Sequence, residues 1–440
     1  MKLYIETYGC QMNVADSEVV VSVMKDHGYM RTEDIHEADV ILVNTCSIRE
    51  NAETRVWGRL DVFRLARKKN PELIIGVIGC MAERLKQKLI EESKIVDLVV
   101  GPDAYRELPS MLVEVEQGKK SINVKLSKEE NYEDILPVRY DTNGVSAFVS
   151  IMRGCDNMCA FCVVPFTRGR ERSRSPQTIL REAQELVDSN YKEVTLLGQN
   201  VDKYAWKDKT GTLSFAGLLE KVAQTNPLLR VRFSTSYPHD MTDEVLEVMA
   251  KYDNICKSIH LPVQSGSTKM LELMKRGYTR EWYMDRIRSI KKYLPECSIS
   301  TDIITGFCDE TEEDHKETLS LMEWVKYDFA FMFKYSERPD TFAARKYKDN
   351  IGEEIKTRRL SEIISLQNKL SAESKKQDVG KTYEVLIEGT SKKSKEFLFG
   401  RNSQNKVIVF PKESAVIGDY VKVKIMRSTS ATLIGEIQDV

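Results

Sequence analysis

Short apolar runs alternate with helix-length amphipathic segments over most of this 440-residue chain, and that alternation points to layered, parallel α/β architecture. Residues 3–8, 40–44, 73–78 and 96–101 read as strands. Helices are predicted over residues 16–27, with Asp16 or Ser17 as cap, over 50–69, and from Ala82 onward. In a parallel sheet all strand carboxyl ends lie on one edge, where ligands bind. Each of the first three strands is followed within two residues by a thiol, in Gly9-Cys10, Thr45-Cys46 and Gly79-Cys80. Sulfurs 36 and 34 residues apart in sequence can therefore converge in space.

Residues 118–146 are polar and weakly periodic and read as a linker. A second series follows, with strands at 147–152, 193–197, 230–234, 258–262, 298–304 and 329–334. Helical patterns lie near 176–189, 215–224, 242–251, 279–292 and 311–325. Six strands with crossovers of one hand make an open sheet or a partial barrel. A charged helix is predicted over 352–377, with one apolar stripe that includes Leu360, Ile363 and Leu370. Five short strands then follow, at 382–388, 396–402, 406–410, 420–426 and 431–437. If antiparallel, they suggest a small barrel, an architecture often used as a nucleic-acid platform. The division expected is 1–117 for the N-terminal α/β domain, 118–146 for the linker, 147–377 for the core and 378–440 for the barrel.

The chemistry concentrates in Gly154-Cys155-Asp156-Asn157-Met158-Cys159-Ala160-Phe161-Cys162. Three thiols on one short loop can hold one inorganic centre. With no fourth ligand nearby, one metal corner stays open for chemistry. A zinc site would want a fourth Cys or His. Nine cysteines, an odd number in a large chain without an apolar leader, argue against a disulfide framework and for metal or cluster binding in a reducing cytoplasm. No apolar run is long enough for a membrane span. The formal net charge is -1, so any nucleic-acid contact has to be local. The segment 378–440 has ten Lys/Arg against eight Asp/Glu, only a small basic excess.

The Cys155-x-x-x-Cys159-x-x-Cys162 spacing is similar to the signature of the radical S-adenosylmethionine superfamily. Gly9-Cys10-Gln11-Met12-Asn13, Asn44-Thr45-Cys46-Ser47-Ile48-Arg49 and Gly79-Cys80-Met81-Ala82-Glu83-Arg84 resemble the N-terminal blocks of the methylthiotransferases. Phe161-Cys162-Val163-Val164-Pro165-Phe166-Thr167-Arg168-Gly169 resembles the tRNA-modifying MiaB branch, and the last segment resembles a TRAM domain. The resemblance implies an N-terminal parallel α/β sheet domain, a central radical-SAM partial (β/α)6 barrel and a C-terminal RNA-binding β-barrel. It implies two [4Fe–4S] clusters, one on Cys155, Cys159 and Cys162 and one on Cys10, Cys46 and Cys80. S-adenosylmethionine would serve as both radical source and methyl donor. The implied reaction puts a methylthio group on carbon 2 of the isopentenylated adenosine at tRNA position 37, beside the anticodon. The partners implied are a tRNA anticodon stem-loop and a reductase as electron donor, with the protein a monomer away from membranes.

Gln11-Met12 separates this chain from branches that modify threonylcarbamoyl-adenosine or a ribosomal protein side chain, which remain the alternative. A pure electron carrier would ligate each cluster with four protein groups. Gln199, Ser234 and Gln264, at or just after core strands, are candidates for contact with S-adenosylmethionine, with Ser265 beside the last. His260 reads as a satisfied core histidine. Arg168, Arg170, Arg172 and Arg174 are candidates for phosphate contact, and Phe161 and Phe166 for stacking on the base or its isopentenyl tail. Many members of the resembled family have Gly-Phe-Pro-Gly-Glu-Thr where this chain has Gly306-Phe307-Cys308-Asp309-Glu310-Thr311, which suggests a different turn.

Overall fold

The computed structural model describes the chain except for residues 47–49, 141, 142, 210, 439 and 440, and leaves the side chains of 50–52 undescribed. The Ser47-Ile48-Arg49 part of the second cysteine block therefore lies outside the described residues.

The N-terminal unit runs β1 (Lys2–Tyr8), α1 (Gln11–Asp26), β2 (Met30–Arg31), β3 (Val40–Thr45), α2 (Glu50–Lys69), β4 (Ile74–Ile78), α3 (Cys80–Leu85), α4 (Gln87–Ser93), β5 (Leu98–Val100), α5 (Leu108–Glu116) and β6 (Ser121–Asn123). Its six strands are all parallel, in the order β2-β1-β3-β4-β5-β6. β3, β4 and β5 are buried on both faces, as their unbroken Val/Ile/Leu runs require. Val19, Val20, Leu108 and Leu112 pack on one face, and Val56, Leu60, Phe63 and Leu89 on the other.

Helix α1 starts five residues before the predicted position. Cys10, not Asp16 or Ser17, is its N-cap residue, and Asn13 closes a capping box with it. Asp16 and Ser17 lie inside the helix, fully buried, because their polar atoms have distant partners that outweigh local preference. Residues 118–146 do more than link. They supply β6, and they bury Tyr132 against Tyr105, with the Tyr132 hydroxyl donating to Pro102 O at 3.0 Å.

The core runs β7 (Ser146–Ser150), β8 (Met152–Arg153), α6 (Val164–Thr167), β9 (Arg172–Ser173), α7 (Pro176–Asp188), β10 (Glu193–Leu197), β11 (Ala205–Asp208), β12 (Gly211–Ser214), α8 (Phe215–Thr225), β13 (Arg230–Ser234), α9 (Asp243–Lys251), β14 (Ser258–His260), α10 (Thr268–Leu273), α11 (Arg280–Tyr293), β15 (Ser298–Thr305), α12 (Glu312–Val325) and β16 (Phe329–Lys334). Six parallel strands form two arcs, β7-β10-β13 and β14-β15-β16, joined through a bridge between Val231 and Ile255. This is the partial barrel. Side-chain caps start four of its helices, Ser214 on α8, Ser267 on α10, Thr279 on α11 and Thr311 on α12, whereas Ser175 and Thr242 stand at the N-cap positions of α7 and α9 without a side-chain bond. At the altered turn, Asp309 takes φ +60°, a conformation Asp tolerates, and Asn350 latches it with two hydrogen bonds.

After α13 (Phe342–Lys346) and α14 (Glu353–Lys376), β17 (Thr382–Thr390), β18 (Phe397–Arg401), β19 (Val407–Pro411), β20 (Tyr420–Ser428) and β21 (Leu433–Ile437) close a barrel in the order β17-β18-β19-β21-β20. It is not wholly antiparallel, since β19 and β21 run parallel. This barrel docks on the amino ends of the core strands. Tyr420 Oη donates to Lys192 O (3.0 Å), Arg230 Nη1 to Arg401 O (2.7 Å) and Arg232 Nη2 to Asn402 O (2.8 Å). The opposite, carboxyl ends are left uncovered by this barrel, and there Leu197 packs against Met12 and Ala15 of α1.

Buried ion pairs staple the N-terminal unit to the core. Arg139 bridges Glu18 and Glu182, and Arg174 Nη1 meets the other Glu182 oxygen at 2.8 Å. Removing one member of such a group leaves buried charge without compensation, at a cost of about 3–5 kcal/mol. Glu182→Ala is therefore expected to lower the urea midpoint substantially, and Glu182→Gln by less. A midpoint for Glu182→Ala equal to that of the parent protein would show that the two guanidinium groups find water.

Candidate functional site

Both cysteine triads stand at strand carboxyl ends. In the N-terminal unit, β1 ends into Gly9 and Cys10, β3 into Cys46, and β4 into Gly79 and Cys80. The close approach of β1 and β3 needs Gly9, whose φ is +135°; a Cβ there would lie 2.6 Å from the Cys46 Cβ. Two buried amides lock the strand ends. Asn13 Nδ2 donates to Asn44 Oδ1 (2.9 Å), and Asn44 Nδ2 donates to Asn13 O and to Ser17 Oγ (both 2.9 Å). The sequence shows both amides beside cysteines, but nothing in it reveals that they pair.

Arg168, from the core, enters this group. Its Nε lies 3.2 Å from Cys80 Sγ and its Nη2 2.7 Å from Asp16 Oδ2. A hydrogen bond with Cys46, against burial and helped by the Arg168 charge, brings the Cys10 thiol down to about 6. Burial pushes the Cys80 thiol up, against the pull of Arg168. Burial opposes ionisation of Asp16, but Arg153 and Arg168 hold its carboxyl below the usual range.

The central triad sits on the loop after β8. Gly154 is obligatory there, because a Cβ would fall 1.9 Å from Arg170 O. Backbone hydrogen bonds fix the loop: Cys155 N to Gly169 O (3.1 Å), Cys162 N to Cys159 O (3.1 Å) and Ala160 N to Met274 O (2.9 Å). Arg276 Nη1 lies 3.2 Å from Cys159 Sγ, with its guanidinium 4.4 Å from the centre of the Tyr237 ring. Burial pushes the Cys155 and Cys162 thiols up to about 12.

Each triad thus has one buried guanidinium against one of its sulfurs. Among the described residues, no three His, Cys, Asp or Glu side chains are arranged to hold a single metal ion. An all-thiol donor set, with positive charge beside it to offset thiolate charge, fits an iron–sulfur cluster.

The barrel mouth carries unmet polar groups. Gln199, after β10, and Gln264, which bridges to Ile303, each have a buried Oε1 with no partner. Gln264 is held at φ +75° and Thr235 at φ +107°; the second is strained for a β-branched residue. Ser234 ends β13, half-buried, in register with Leu197. Asn200 donates to Asp240 (2.7 Å). Burial pushes the nearby Asp202 carboxyl up to about 8. Ser265 is committed to Thr318 and to the Ser267 amide. His260 is satisfied by Ser300 Oγ (3.0 Å), with Asp302 at 3.4 Å.

The arginine run differs from its reading as a phosphate grip. Arg168, Arg172 and Arg174 are buried, paired with Asp16, Asp103 and Glu182 respectively, and only Arg170 reaches solvent. Asp16 and Asp103 lie 152 and 69 residues from their arginines, beyond the reach of any local pattern. Phe161 packs beside Ala160 and Met274, whereas Phe166 is 37 % exposed.

Family models match three segments: "Uncharacterized protein family UPF0004" over residues 2–101, the radical SAM superfamily over 149–322 and the TRAM domain over 376–437. The chain is 58% identical to the tRNA-2-methylthio-N(6)-dimethylallyladenosine synthase of Amoebophilus asiaticus, covering 99% of this chain and 92% of that one. It is also 58% identical to the enzyme of the same name from Bacteroides fragilis, covering 99% and 95%. Among solved structures, the radical S-adenosylmethionine methyltransferase TsrM from Kitasatospora setae shares the fold, with a TM-score of 0.58 at 13% identity over 78% of this chain and 75% of that one. The cobalamin-dependent radical enzyme OxsB gives a TM-score of 0.51 at 13% identity over 83% and 56%. With its fold, its two thiol triads and relatives of this identity along its full length, the chain belongs to the tRNA-2-methylthio-N(6)-dimethylallyladenosine synthase family of radical S-adenosylmethionine enzymes.

Proposed function

We propose that this enzyme replaces the hydrogen on carbon 2 of an isopentenylated (dimethylallyl) adenosine at tRNA position 37 with a methylthio group. The observation that carries this reading is the full-length likeness at 58% identity to enzymes named for that product. The same names disfavour the threonylcarbamoyl-adenosine and ribosomal-protein alternatives. Radical SAM membership brings a [4Fe–4S] cluster and S-adenosylmethionine. The proposal extends this to two clusters, one on Cys155, Cys159 and Cys162 and one on Cys10, Cys46 and Cys80.

A cluster with an open iron supplies one-electron reduction of S-adenosylmethionine at the first triad and a place for transferable sulfur at the second. The chain's own residues supply the rest. Gln199, Ser234 and Gln264 surround the mouth where S-adenosylmethionine would lie, and the first and last keep a buried amide oxygen free for its polar groups. An anticodon-loop base is outside a duplex, so little unpairing is needed to bring it to the mouth. The barrel of residues 378–440 is assigned to the RNA stem, a reductase to electron delivery, and the functional unit to a monomer. Among the described residues, no helix is long and apolar enough to cross a membrane.

The test is anaerobic reconstitution with iron, sulfide and a reductant, followed by mass spectrometry of nucleosides from tRNA with and without the isopentenyl group. Methylthio product is expected only from the isopentenylated tRNA. Product from threonylcarbamoylated tRNA instead would transfer the chain to the other branch.

A further inference from the structure

The segment after Cys162 reaches both triads. From the third thiol of the central loop the chain makes the single turn of α6, which lies against α3, the helix that begins with Cys80. The side chain of Arg168 then ends on Cys80 Sγ, while the carbonyl of the next residue, Gly169, accepts from Cys155 N at 3.1 Å. One dipeptide therefore contacts the Cys80 sulfur through its side chain and the backbone of the central cysteine loop through its carbonyl.

Its guanidinium is held firmly. Asp16 takes Nη2 at 2.7 Å, and its other oxygen takes Arg153 Nη1 at 2.8 Å. Arg168 O accepts from Arg172 Nη2 (3.2 Å), which in turn pairs with Asp103 (2.9 Å). The remaining nitrogen, Nη1, is buried and has no partner. Arg168 is only 3 % exposed, so water is a poor substitute partner. Buried donors are seldom left unpaired, and one on a guanidinium that already touches the Cys80 sulfur is suited to a bound anion.

We infer that Arg168 is a positioning residue of the N-terminal triad, with Nε steadying the Cys80 sulfur and Nη1 kept as the donor for a small sulfur anion bound beside Cys10, Cys46 and Cys80. This inference rests on the proposed role of that triad as sulfur carrier. No bond to the arginine forms or breaks: it supplies charge and two N–H groups, and the anion arrives as hydrosulfide or methanethiolate. An N–H···S hydrogen bond also raises a cluster's reduction potential.

The reconstituted full-length protein is compared with Arg168→Gln and Arg168→Lys, with hydrosulfide as the probe. Iron and sulfide content show loading, redox-titrated EPR gives the potential of the N-terminal cluster, and hydrosulfide titration of its EPR signal gives an affinity. Arg168→Gln is expected to lower that potential and to weaken hydrosulfide binding by about tenfold or more, the size of one charge-assisted hydrogen bond. Arg168→Lys keeps the charge but has one nitrogen to span Asp16, Cys80 and the anion. It is expected to recover iron loading and part of the potential, but not the hydrosulfide affinity. If Arg168→Gln loads no iron, the lysine variant decides alone. Unchanged hydrosulfide affinity in an iron-loaded variant overturns the inference. These readouts need no tRNA, so failure of the parent enzyme to make methylthio product would count against the proposed function and leave this test intact.

Discussion

Changing Cys155, Cys159 and Cys162 together to Ala is expected to reduce cleavage of S-adenosylmethionine to the apoprotein background. The three sulfurs share one loop, and without them its one soft donor is the single Met158 thioether, too few ligands to hold a cluster. The substitutions leave the loop's own supports in place, because the hydrogen bonds from the amides of Cys155, Ala160 and Cys162 are made by backbone atoms. Arg276 keeps its partners at Pro262 O (2.9 Å) and Tyr278 Oη (3.1 Å) after losing Cys159. The variant should therefore fold and fail for a chemical reason. The measurement is 5′-deoxyadenosine formed under strong reductant, by mass spectrometry, on protein whose iron content and circular dichroism are recorded. Continued formation at the parent rate would sink the assignment of the central triad.

Changing Cys10, Cys46 and Cys80 together to Ala is expected to have the opposite signature. Cleavage of S-adenosylmethionine persists, because the central loop and the barrel mouth are untouched, but the methylthio nucleoside falls below detection. Asn13 and Asn44 still bridge the strand ends, and Asp16 still neutralises Arg168, so the local fold has other supports. The decisive reading is the ratio of 5′-deoxyadenosine to methylthio product over several turnovers. If modified nucleoside kept accumulating, sulfur would be coming from somewhere other than this triad. The two triple variants together separate the two roles, since a folding defect would depress both products in both proteins.

Much of the architecture is written locally. The unbroken Val40-Ile41-Leu42-Val43 and Ile74-Ile75-Gly76-Val77-Ile78 runs can only be strands buried on both faces, and the structure places them in the middle of a parallel sheet. The six core strands and the five barrel strands emerge near their predicted positions because period, turn residues and Ser/Thr caps act over a few residues. Asp16 and Ser17 resemble a cap, but α1 begins at Gln11. The burial of Asp16 depends on Arg153 and Arg168, which the chain supplies more than 130 residues later. The parallel pairing of β19 with β21 was likewise hidden, since strand direction follows from how the barrel closes.

The sequence by itself determined which atoms could do chemistry: six thiols in two groups of three, one group at three strand ends of a parallel sheet and the other on one short loop. Only the tertiary structure decided what surrounds those thiols. It turned three arginines that look like a surface grip for phosphate into buried partners of carboxylates, two of them distant in sequence, and it brought Arg168 onto Cys80 of the other triad. The physical reason is range. Periodicity and capping act within a few residues, whereas the fate of a charge depends on which opposite charge the fold buries beside it, and that is fixed only when the two units pack together.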